Sequence, residues 1–76
     1  MSFQGYLNTI HEKTGRNAAD LRTWADGKGF SEGGLIRSTV QAGEVVAAAK
    51  DDLGLGHGHE MAIVALLKGT KKEGDS

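Results

Sequence analysis

The chain has no cysteine and no proline. Without cysteine, neither a disulfide nor a thiolate zinc site can brace the fold. Without proline, the breaks between elements fall to other residues, and 12 glycines are present to make them. An excess of one charge is also missing, because nine basic residues face ten acidic ones for a formal net charge of −1. Nonspecific nucleic-acid binders usually carry a basic excess, so this balance disfavours such a role without excluding it. No apolar run approaches the roughly 20 residues of a membrane span, so no membrane partner is expected. The opening MSFQGYLNTIHEK has neither a basic n-region nor an apolar h-region. No secretory signal is therefore expected, and the cytoplasm is the expected compartment.

At 76 residues the chain is long enough for one domain. A domain of this size buries only about 60–65% of the surface its unfolded chain exposes. Its stability is then roughly 5 kcal/mol or less, resting on helix packing or on oligomerisation.

What is present is helical periodicity, divided by glycine. From about Ser2 to Thr14, Phe3, Leu7 and Ile10 recur on one face with Tyr6 beside them. Gly15 offers a left-handed cap, and Gly5 is expected to weaken the first turn by about 1 kcal/mol relative to alanine. A second helix opens at Asn17, with Asp20 placed for a capping box. Leu21, Trp24 and Ala25 are its stripe, and Gly27 or Gly29 its end. Phe30 then supplies the apolar contact of a Schellman cap, reaching back to Ala25 or Trp24. Residues 31–38, SEGGLIRS, read as a loop broken at Gly33–Gly34, with Leu35 and Ile36 tucked onto the core.

A third helix is expected from about Thr39 to Leu53, with Ala42, Val45, Val46, Ala49 and Leu53 on one face. Asp51 and Asp52 in its last turn oppose the helix dipole by about 0.3–1 kcal/mol each. Gly54 ends it. The fourth helix, about His57 to Lys68, contains MAIVALL and is apolar on nearly every side, as a central helix is. The expected fold is all-α: a compact bundle of four short helices over residues 1–69, with a Gly-rich turn between the last two. Residues 70–76 are expected to be a disordered polar tail.

The Gly-rich turn, Gly54 to His59, is the main candidate for chemistry. His57 and His59 sit about 200° apart on a helix, which makes chelation by both awkward. A zinc site normally wants three or four ligands, and no recognised spacing supplies them from Asp51, Asp52, Glu60 and His11. No metal and no cofactor is expected; the plainer reading pairs a histidine with a carboxylate such as Asp52. The glycines would suit an anion at a helix N-terminus, but the Lys-Ser/Thr of a P-loop is lacking. Gly56 to Ala62 also fits the G-h-G-x-x-x-A core of a helix-hairpin-helix DNA-backbone binder, with His57 in place of the apolar residue and Leu55 in place of the usual proline. The structural alternative is that Gly56 and Gly58 let two helices turn and Ala62 lets them approach. Trp24 and Tyr6 lie on apolar stripes and are expected in the core rather than on a ligand. No catalytic residues are assigned, and a small helical domain leaves little room for a pocket of about 300 Å³ or more.

Four blocks, FQGYL near the start, KTG at 13–15, AGEVV at 42–46 and DLGLGHGHEMAIV at 52–64, together resemble the bacterial domain of unknown function 4287. The resemblance covers roughly residues 2–68, and the GLGHGH block is its most specific part. The family often carries a proline early in its second helix and a tryptophan in its third, where Ala18 and Ala48 stand here. Glu60 occupies a position where a small residue is common. The resemblance implies a domain without an established activity, found alone or joined to other domains, and so a module rather than a catalyst. The expectation is a cytoplasmic, non-enzymatic module for protein interaction or assembly, its partner and oligomeric state unspecified. Its candidate binding residues are Gly56, His57, Gly58 and His59, together with Phe30 and Leu35 of the loop Phe30–Ile36. A weak nucleic-acid binder using the GHG turn is the second expectation, and a small-anion or metal-dependent activity there the third.

Overall fold

A computed structural model describes residues 3–71. The element order is α1 (Phe3–Thr14), α2 (Ala18–Lys28), β1 (Ser31–Glu32), β2 (Leu35–Ile36), α3 (Ala42–Leu53) and α4 (His57–Lys68). The all-α expectation holds, with one two-stranded ribbon added. Most of the expected tail, residues 72–76, lies outside the described residues.

The caps set where each helix begins and ends. At α2 the Asp20 amide donates to Asn17 Oδ1 at 2.9 Å, and the Asn17 amide donates to Asp20 Oδ2 at 3.1 Å. Both partners of the expected capping box are therefore used. Gly29, not Gly27, closes the helix, and the Phe30 amide donates to the Ala25 carbonyl at 3.0 Å. The Phe30 ring meets Trp24 edge-on at 6.0 Å, completing the Schellman arrangement. α1 continues through Gly5. α3 begins at Ala42 rather than Thr39, because the Gln41 amide donates to Glu44 Oε2 at 2.8 Å and fixes the N-cap there.

α4 is the central element, as its apolar run predicts. Ala62, Ile63, Val64, Leu66 and Leu67 are buried on it, and α3 and α1 pack along it. Phe3, Leu7 and Ile10 of α1, Leu21 and Ala25 of α2, and Val45 and Ala49 of α3 close the core. The small residues on α3 keep it close to α4. Their connection is three residues long, Gly54 to Gly56, and Leu55 plugs the core from within it.

Residues 31–38 are not a plain loop. Ser31 pairs with Ile36 and Glu32 with Leu35 in an antiparallel hairpin. Gly33 and Gly34 have φ of 60° and 84°, the pair of positive angles that a two-residue type I′ hairpin turn requires. The same two glycines that look like a break are what make the ribbon regular. Asp26 Oδ1 anchors it to α2, accepting from Ser31 Oγ and from the Gly34 amide. The register also corrects the expectation for Leu35. Ser31 and Ile36 face inward, so Leu35 and Glu32 face out, and Leu35 is 60% exposed.

Candidate functional site

The candidate residues divide into two places. Gly56, His57, Gly58 and His59 form the N-cap and first turn of α4. Leu35 sits at the other end of that helix, where a Cβ on Gly69, its C-cap, would lie 3.8 Å from Leu35 Cδ2. α4 has 12 residues, so the two places are roughly 18 Å apart. Phe30 belongs to neither, since its ring is packed half-buried against Trp24 and the core. The single surface expected from the sequence is thus two surfaces.

At the N-terminal end the two histidines behave differently. His57 is 77% exposed. His59, two residues on, is turned round the helix and half-buried. Tyr6 of α1 lies beside this turn, and a Cβ on Gly58 would stand in ordinary contact, 3.4 Å from Tyr6 Cε1. The Tyr6 ring meets the His59 imidazole edge-on, with centroids 5.1 Å apart. His59 Nε2 is buried without a hydrogen-bond partner. It is therefore packed rather than presented.

Sequence reasoning gave Glu60 no leading role, yet it is 3% exposed. Its Oε1 lies 3.9 Å from His57 Nδ1, and its Oε2 is buried with no partner. A glutamate one turn into a helix looks like a solvated residue in sequence. Only the packing of α4 against its neighbours buries it.

Asp52 does not pair with either histidine. It accepts from Trp24 Nε1 at 3.1 Å and lies 2.6 Å from Lys28 Nζ. The Lys28 hydrogen bond, then that from Trp24, hold its carboxyl below the ordinary aspartate range. This acid, which looks like a dipole misfit in α3, ties α3 to α2. Trp24 packs half-buried against the core, with its N–H on Asp52.

At the hairpin end, Glu32, Leu35, Ile36, Arg37, Ser38 and Thr39 line an open depression of about 390 Å³. A second groove of about 330 Å³ lies between α1 and the start of α2, lined by Gln4, Leu7, Asn8, His11, Asn17 and Ala18. It is not legible in the sequence, because its walls come from two helices, α1 and the start of α2. Among the described residues, no three His, Asp or Glu side chains come together as a metal-binding group, and no helix is long and apolar enough to cross a membrane.

No curated protein and no solved structure matches the chain. A family model does, over residues 2–69, nearly the whole length and every element described above. The chain belongs to the domain of unknown function family DUF4287.

Proposed function

We propose that this chain is a cytoplasmic, non-enzymatic module that docks a protein partner through the hairpin end of α4. The observation that carries the reading is Leu35, which stands 60% exposed on a ribbon fastened to α2 by Asp26. A large apolar side chain held out on a rigid support is the kind of anchor that binding hot spots use. Arg37 flanks it in the same depression, and Lys68 immediately precedes the Gly69 that Leu35 overlies. Glu32, opposite Leu35 on the ribbon, adds an acid to the same depression, so the setting favours a partner with an apolar anchor and a margin of mixed charge. Four of the chain's acids meanwhile serve its own fold: Asp20 and Glu44 in caps, Asp26 at the hairpin and Asp52 between helices.

The test is affinity capture from the native cell with the tagged chain, run in parallel with Leu35→Glu. The residue is exposed, so the variant folds, as circular dichroism will verify. A partner held by the wild type and lost with the variant is expected. Capture that ignores Leu35 contradicts the reading.

One observation favours a second reading, nucleic-acid binding at the GHG turn. Gly56 caps α4 without a side chain, which leaves the first amides of the helix open to a phosphate. Retardation of DNA that weakens with salt is the expected sign, since phosphate contacts release counterions. Its absence at low salt removes this reading.

A further inference from the structure

We propose that the groove between α1 and the start of α2 binds a small neutral amide, a molecule with a short apolar body and one uncharged carboxamide. Its volume of about 330 Å³ lies at the lower end of the range for ligand pockets, about 300–1,000 Å³. Leu7 and Ala18 give it an apolar floor and are only 5% and 8% exposed. Gln4, Asn8, His11 and Asn17 give it polar walls, and no Asp, Glu, Lys or Arg lines it. An apolar surface with a few placed polar groups is the usual build of a small-molecule site. The groove lies at the opposite end of α2 from the hairpin, which follows that helix after Lys28.

The hydrogen bonds already made around the groove narrow the chemistry. Gln4 Nε2 donates to Asn8 Oδ1 at 2.9 Å, and the Asp20 amide donates to Asn17 Oδ1 at 2.9 Å. Both asparagine oxygens are therefore engaged, and these bonds fix which way each side-chain amide is turned. Among the described residues, nothing accepts from Asn8 Nδ2 or Asn17 Nδ2. The two asparagines thus meet a ligand as donors. A carbonyl oxygen satisfies them, while an apolar body covers Leu7 and Ala18. An ammonium group finds no carboxylate in the lining. A carboxylate would gain the same donors but would approach Asp20, whose own carboxylate accepts from the Asn17 amide at 3.1 Å. The uncharged acceptor is the form that suits the groove.

The experiment titrates the isotope-labelled full chain with hexanamide and follows its backbone amide resonances, with hexanoate and hexylammonium run alongside. Hexanamide is expected to shift the amides of residues 4–18 saturably, with a Kd on the order of millimolar, and both charged probes to bind more weakly. Asn8→Asp and Asn17→Asp each keep the oxygen that the neighbouring donor needs and turn the Nδ2 donor into a second acceptor. Each should weaken hexanamide binding about fivefold. His57→Ala, on α4, should leave it unchanged. Asn8 is exposed on α1, so its variant tests the groove even if the Asn17 variant fails to fold. No saturable shift with hexanamide, equal binding of either charged probe, or unchanged affinity in Asn8→Asp would each overturn the proposal. The outcome is independent of whether Leu35 docks a partner.

Discussion

At the scale of single residues, the chain places its polar groups where a contact rewards them, and Asp52 shows the consequence for pH. Lys28 and Trp24 stabilise its charged form in the fold and are absent from it in the unfolded chain, so its folded pKa is the lower of the two. The stabilisation is therefore complete above the unfolded value of about 3.9 and fades as pH falls through the folded one. Asp52→Asn is expected to lower Tm modestly at pH 7, and the gap between variant and wild type should close as pH falls through the lowered folded pKa. Thermal melts followed by Trp24 fluorescence measure it, and a gap that widens in acid would count against the pairing. Asp52 and Trp24 are visible in the sequence but their meeting is not, because the two are 28 positions apart and come together only in the folded chain. His59 and Glu60 were hidden for a related reason. Which side of α4 is buried at its first turn depends on Tyr6 of α1, far away in the chain.

At the scale of elements, local chemistry was legible where it is self-contained. The helix starting after Asn17, the stops at Gly15, Gly29 and Gly54, and the buried run in α4 follow from caps and periodicity alone. The hairpin was misread because Gly33–Gly34 carries two meanings. Two glycines break a helix, and they also supply both positive φ angles of a type I′ turn. The Asp26 carboxylate, five to eight residues upstream, decides between them. Gly34 gives the sharper test. Its φ is +84°, and an added Cβ would lie 2.8 Å from Arg22 Cδ. Gly34→Ala should cost about 1–2 kcal/mol. In a domain this small that is a fall of roughly 4–8 °C in Tm for each kcal/mol. Amide exchange should quicken at residues 31–36 and stay slow in α4. A variant as stable as the wild type would show that the turn tolerates a side chain, and the ribbon would lose its standing as a rigid support.

At the scale of the whole molecule, one helix organises everything. α4 is the hub of the core, and its two ends carry the two candidate surfaces roughly 18 Å apart. The sequence identified the residues of both ends, but it could not separate them. Phe30 to Ile36 and His57 to His59 are distant in the chain, and their relation depends on the hairpin folding back along α2 until Leu35 reaches Gly69. The DUF4287 match, over residues 2–69, takes in both ends of that helix. Docking belongs to the hairpin end, and the histidine end is a separate surface. The decisive measurement is amide chemical-shift mapping of the labelled chain with its captured partner. The account predicts perturbations concentrated at residues 31–37 and 68–71, with the amides of residues 56–60 unmoved. Perturbations centred on His57–Glu60, with the hairpin silent, would contradict it.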